Sequence, residues 1–175
     1  MSYVAAREAP LLPVGRLARF EADPADPSRA LPESELPLIS QPHRGDIHFA
    51  GDTCFGPDGY LYMSLGDEGY GYMWENAGRW DRNFFSGIIR IDPDQRPGGL
   101  LPNVHPAVHP GTYLVPPDNP FLGRTDYVIG DTNLGIAMDA ESIRTEFWAV
   151  GFRNPWRMAF RKGSSDLYVN DVEMG

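Results

Sequence analysis

One phrase is written twice along this chain, and it restricts the fold more than any other feature. The first copy runs His48-Phe-Ala-Gly-Asp-Thr-Cys-Phe55-Gly-Pro-Asp-Gly59-Tyr-Leu61-Tyr62, the second Arg153-Asn-Pro-Trp-Arg-Met-Ala-Phe160-Arg-Lys-Gly163-Ser-Ser-Asp-Leu167-Tyr168. Each reads as a strand ending in Phe, a glycine-containing turn, and Leu-Tyr opening a second strand. His48 to Phe55 and Arg153 to Phe160 are the same seven-residue step. Self-similarity of this kind marks stacked or radially arranged units. It makes His48 and Arg153 equivalent positions on two units, so that a potential base and a fixed cation face one shared space.

The first copy also predicts its own register. Phe49 to Gly56 and Tyr60 to Asp67 are β-rich runs around Pro57-Asp58-Gly59, where proline presets one turn dihedral and glycine supplies the positive one. Alignment of Gly56 with Tyr60, counted outward, sets His48 opposite Glu68 and beside Asp67. The hairpin alone thus brings an imidazole close to a carboxylate.

Elsewhere the chain reads as short strands and long loops. Gly15–Glu21 and Ser86–Asp92 share a pattern of aliphatic, any residue, Arg, large apolar residue and acid, and are expected as outer strands with Arg19 and Arg90 solvated. Ala22 to Pro37, rich in proline and acids, reads as a loop, and Leu36 to Ser40 as a short edge strand where proline is tolerated. Glu68 to Phe85 and the much longer Pro93 to Ser142 read as insertions on one side, and structureless stretches of that size are uncommon unless functional. Thr145 to Gly151 returns as a strand before the second copy, whose hairpin is expected over 158–161 and 167–171. With 19 glycines, 17 prolines and no helical periodicity, the fold class expected is all-β, a propeller in preference to a sandwich. In a propeller the first strand of each blade lines the central channel, and His48 and Arg153 then meet at one of its mouths.

Composition excludes several classes of function. A net charge of −9 argues against nucleic acid or an anionic membrane surface as partner. The single cysteine, Cys54, rules out an internal disulfide and a cysteine-based metal site, and reads as a small apolar strand residue. No apolar run approaches the roughly 18 residues needed to span a bilayer. Tyr3-Val-Ala-Ala at one end and Gly175 shortly after a strand at the other read as a single partial domain, residues 1–175, of a longer protein.

In order, His48-x-x-Gly-x-x-x-Phe-Gly-Pro-Asp-Gly-x-Leu-Tyr, Leu65-Gly-Asp67, Gly87-Ile-Ile-Arg-Ile-Asp92, Asp118-Asn-Pro-Phe121 and Val150-Gly-Phe-Arg-Asn-Pro155 resemble the glucose/sorbosone dehydrogenase family. The resemblance covers about His48 to Asp171. It implies a six-bladed propeller, here about half of the blades, that uses pyrroloquinoline quinone and calcium and passes electrons from a sugar or polyol to an external acceptor. It also implies that the full-length protein is periplasmic or secreted. Through it, His48 matches the general base, Asp67 the aspartate that orients it, and Arg153 the arginine that meets the quinone. Tyr72 stands nearest to a cofactor-contacting glutamine. The residue types fit such chemistry, since histidine is a base near neutral pH, a carboxylate fixes its tautomer, and a guanidinium suits a quinone gaining negative charge. The calcium ligands are expected beyond Gly175.

Bland alternatives stand beside these assignments. Asp67 could cap a hairpin, and Arg153 could bridge backbone carbonyls. His43 competes with His48 but breaks the repeat. His105 and His109 lie four apart, yet Pro106 and Pro110 oppose the helix that zinc spacing needs. Trp74, Trp80 and Trp148 read as packing residues, and Asp92, Asp94 and Asp131 as loop acids. A propeller that binds a partner after losing its cofactor is the alternative function. A calcium-dependent lactone hydrolase fits less well, because such sites are rings of acids and amides.

Overall fold

A computed structural model describes residues 12–69, 71–77, 79–124 and 140–172. Tyr3–Ala6, Asp131 and the side chain of Trp74 lie outside the described residues.

The fold is all-β, and its centre is a four-stranded antiparallel blade in chain order: β5 (Thr53–Phe55), β6 (Leu61–Leu65), β7 (Gly87–Ile91) and β8 (Phe147–Val150). Before it come β1 (Val14–Arg19), paired antiparallel with β4 (Leu36–Pro42), and the small hairpin β2 (Ala22–Asp23) with β3 (Asp26–Ala30). After it comes the hairpin β9 (Pro155–Phe160) with β10 (Leu167–Asp171). One complete blade flanked by parts of its neighbours is the arrangement of an incomplete β-propeller. Helical structure among the described residues is confined to single turns at Pro32–Ser34 and α1 (Met73–Asn76).

The turn chemistry acts as expected. Gly59 adopts φ 77, its N–H donates to Gly56 O at 2.9 Å, and Thr53, Cys54 and Phe55 pair with Met63, Tyr62 and Leu61. That register sorts side chains by the two-residue period of a strand. Leu61, Met63, Leu65, Ile89, Ile91 and Phe147 face one core with Leu38, Ile39 and Tyr113. Tyr62 and Ile88 face a second core with Met158, and Cys54 and Phe160 pack against it.

Burial on both faces overturns the expectation for Arg90. It is 5% exposed, because β7 is an inner strand of the blade. Its guanidinium reaches Asp58 Oδ2 at 2.8 Å and Asp118 Oδ1 at 2.7 Å and lies over the Tyr60 ring. Arg19, by contrast, is exposed. Ala22 to Pro37 is likewise more ordered than a loop. Asp23 Oδ1 accepts from Ala25 N, and Asp26 Oδ1 accepts from Ser28 N and Oγ, closing the β2–β3 hairpin through side chains that carry no hydrophobic signal.

The long insertion leaves β7 at the end away from His48 and folds back over the blade. It pairs through Asp92 with Leu114 and through Val108 with Ile39, and buries Ala107, Tyr113, Val115 and Phe121. It closes on a buried carboxyl. Glu146 has no exposed surface and accepts from Tyr113 Oη at 2.7 Å. Burial pushes this carboxyl above its ordinary range, despite the Tyr113 bond and the nearby charge of Arg144. A raised carboxyl favours the neutral form in the folded state. Stability is therefore fullest below the unfolded value of about 4.3 and falls as pH rises above it. Glu146→Gln is expected to abolish that fall, gaining on the parent protein as pH rises by no more than about 1.4 kcal/mol per pH unit, the limit for one proton. Urea midpoints of both proteins between acid and neutral pH are the check, and parallel curves would contradict it.

Candidate active site

The site is built by carrying the β5–β6 register past the regular strands. Gly51 N donates to Ser64 O at 2.9 Å, and Glu68 N donates to His48 O at 3.1 Å. His48 therefore faces Glu68, as the turn requires. Both are non-glycine residues in the left-handed region, with φ 58 and φ 66. Such backbone is sparsely populated and clusters at functional sites.

The second repeat copy arrives at the same place. Asp67 N donates to Arg153 O at 2.9 Å, so the chain just before β9 lies along the end of β6. Gly66 separates the two copies. A Cβ there would sit 2.6 Å from His48 O and 3.0 Å from Arg153 O. The equivalent positions of the two units thus converge on Gly66 and Asp67.

His48 Nδ1 lies 2.9 Å from Asp67 Oδ1, and the same oxygen accepts from Gly69 N at 2.8 Å. An ionised carboxylate only accepts, so the neutral His48 ring carries its proton on Nδ1 and presents Nε2 as an acceptor. The side chain is 11% exposed. Arg153 is anchored through its backbone. Its N–H and that of Asn154 donate to the two oxygens of Asp171. Its Nη1 donates to Val172 O at 2.9 Å, while its Nε is buried without a partner among the described residues.

Tyr72 opens α1, and its ring packs on the Arg44 guanidinium, 4.1 Å from the ring centroid. Arg44 in turn binds Glu68, through its backbone N–H and through Nη2 at 2.8 Å, and Glu75 at 2.8 Å. Burial alone would raise the Glu68 carboxyl, but the bonds from Arg44 and Asn76 outweigh it and hold it below the usual range. Arg44, Glu68 and Asn76 form the part of the site that sequence reasoning missed. Glu68 entered only as the ladder partner of His48, and nothing in spacings of 24 and 8 residues announces the contacts.

The remaining histidines are structural. His43 stacks on Phe49 and bonds Gly45 O, His105 bonds Arg82 O, and His109 meets Ser40 Oγ. Trp80 is buried in the first core and Trp148 packs edge-on against Tyr62. Asp92 is taken up by Arg96 and by local backbone N–H groups. Cys54 is a free, half-buried thiol. Among the described residues no three His, Cys, Asp or Glu side chains converge as for a metal ion, and no helix is long and apolar enough to cross a membrane. A cleft of about 340 Å³ lies between Gln41, Arg44, Glu68, Asn76 and His105, and one of about 700 Å³ between Leu101, Asn103 and Arg144. Neither is lined by His48, Asp67 or Arg153.

No protein-family profile matches the chain. It is 32% identical over 148 residues to the HIPL1 protein of Arabidopsis thaliana, an alignment covering 85% of this chain and 19% of that protein. It is 31% identical over 119 residues to the HIPL2 protein of the same plant, covering 68% of this chain and 14% of that protein. The chain spans less than a fifth of the length of these curated relatives.

Proposed function

We propose that the protein to which this chain belongs is a quinone-dependent dehydrogenase of a sugar or related polyol, built on a six-bladed propeller, with His48 as its general base. The observation that carries this reading is the His48 Nδ1–Asp67 Oδ1 bond, which leaves Nε2 free at the place where the second repeat brings in Arg153. In this reading His48 Nε2 takes the proton of the substrate hydroxyl. Asp67 holds the ring in the required tautomer and stabilises the imidazolium that forms.

The buried, unpartnered Nε of Arg153 supports a role for that residue toward pyrroloquinoline quinone, since a buried donor left unpaired is costly and an acidic planar ligand would satisfy it. When bound, that group supplies the two-electron sink from which an external acceptor is reduced. Calcium belongs to the same reading, with no described residue assigned to it. A periplasmic or secreted location belongs to it as well. Arg153→Lys is expected to lower kcat about 10–100-fold, the loss of a charge-assisted hydrogen bond worth roughly 1.5–3 kcal/mol. Wild-type turnover in the lysine variant would remove Arg153 from the chemistry.

A second reading, a propeller that binds a partner without catalysis, draws on different observations. Arg153 Nη1 is taken by Val172 O, Tyr72 by Arg44, and His48 lines neither of the two clefts. The experiment that separates the two is titration of the full-length apoprotein with pyrroloquinoline quinone in calcium, followed by dye reduction over a panel of aldoses and polyols. Saturable binding with turnover supports the dehydrogenase. Absence of binding ends it and leaves the binding module.

A further inference from the structure

We infer that Asn76 is a positioning residue for the Asp67–His48 pair, acting through the Asp67 backbone carbonyl and the carboxylate of the neighbouring Glu68. Its functional meaning rests on His48 being the base, but the geometry and the test do not.

Asn76 is 1% exposed, and its single amide nitrogen donates twice: to Asp67 O at 3.0 Å and to Glu68 Oε2 at 2.9 Å. Its oxygen is held in turn by Asn83 Nδ2 at 2.9 Å, and Asn83 Oδ1 accepts from Phe85 N at 3.0 Å. The amide is therefore clamped at both ends by groups that belong to one loop, and that loop leads into β7. What it clamps is the left-handed residue Glu68, on whose backbone Asp67 depends for its direction. Arg44 Nη2 donates to the same Glu68 oxygen, Oε2.

Both protons of the amide are used on acceptors that have little exposed surface of their own, Asp67 and Glu68 each being 2% exposed. If the amide is lost, the Asp67 carbonyl and the Glu68 carboxylate are each left short of a donor in a buried setting. The cheapest relaxation is rotation of the Glu68 backbone out of its left-handed state toward ordinary conformations, with Asp67 drawn along. That rotation carries Asp67 Oδ1 away from His48 Nδ1. Once the carboxylate no longer selects the tautomer, the neutral ring shifts toward the Nε2–H form, and the acceptor the base needs is lost.

The test is nitrogen-15 spectroscopy of histidine-labelled protein at a pH where the rings are neutral. In the parent, His48 is expected as the Nδ1–H tautomer, with an exchange-protected, hydrogen-bonded ring proton. Asn76→Asp keeps the side-chain volume and removes both donors. It is expected to convert most of the His48 signal to the Nε2–H tautomer. His105 and His109, held by Arg82 O and Ser40 Oγ, should keep their signals. Asn83→Ala frees the Asn76 oxygen and the Phe85 N–H but leaves both Asn76 donors in place, and should move His48 in the same direction by less. An unchanged His48 tautomer in a folded Asn76→Asp protein overturns the inference. So does the collapse of all four histidine signals in both variants, which would make Asn76 a residue of the fold alone. If turnover is never found but the His48 tautomer shifts as stated, the dehydrogenase reading fails while the positioning role stands.

Discussion

His48→Ala is expected to lower the turnover of the full-length, cofactor-loaded protein by about 10²–10⁴-fold, the usual contribution of a positioned general base. The expectation follows from the ring's hydrogen bonds. Nδ1 is committed to Asp67, so the function of the side chain resides in Nε2, which no other described group supplies at that place. Alanine also loses the Asp67 bond that holds this segment at φ 58, a conformation that costs most non-glycine residues about 1–2 kcal/mol and that asparagine tolerates better. His48→Asn separates the two effects. Asparagine tolerates the left-handed conformation and offers no basic nitrogen, so it should match the alanine variant in lost turnover while holding its thermal midpoint. Turnover restored by asparagine would assign the effect to backbone geometry and remove His48 from the chemistry.

The parts of this molecule that were legible in sequence are those set by local rules. The Gly56-Pro57-Asp58-Gly59 turn defined a register that holds through β5 and β6 and on to the His48–Glu68 pairing, eight residues outward from Gly56. The repeated phrase located the second hairpin, with β10 at Leu167–Asp171 as expected, but β9 begins at Pro155, ahead of the expected 158, and its turn to Leu167 is one residue longer than the turn of the first copy. Long-range effects were not legible. Arg90 reads as a surface residue in any single-strand view. It is buried because β8 returns from a distant insertion to cover β7, while Asp58 and Asp118 supply its counter-charges from either side. The support of Asp67 fails for the same reason. Arg44 precedes the hairpin and Asn76 follows it, and only folding brings them onto Glu68. Arg153 divides between these cases, with its backbone position readable from the repeat and its Val172 contact visible only in three dimensions.

Gly66→Ala is expected to destabilise the protein by roughly 1–3 kcal/mol, the usual cost of overpacking a filled position, and to cut turnover along with stability. The added methyl has no side chain to displace cheaply. Its nearest neighbours would be His48 O at 2.6 Å, His48 Cβ at 2.8 Å and Arg153 O at 3.0 Å, so two backbone segments must move apart. Those segments are the two repeat copies. The Glu68 N–H to His48 O bond and the Asp67 N–H to Arg153 O bond flank this glycine on adjoining residues, and both are stretched by any such movement. The substitution therefore tests whether close approach of the two units is what assembles the site. Thermal midpoint and dye-reduction rate, measured together on the full-length protein, are the readouts. A large loss of stability with turnover per folded molecule intact would mean that Gly66 serves only the packing of one blade on the next. Loss of both, with His48 shifted in its ring spectrum, would mean that the contact between units aligns the base as well as closing the fold.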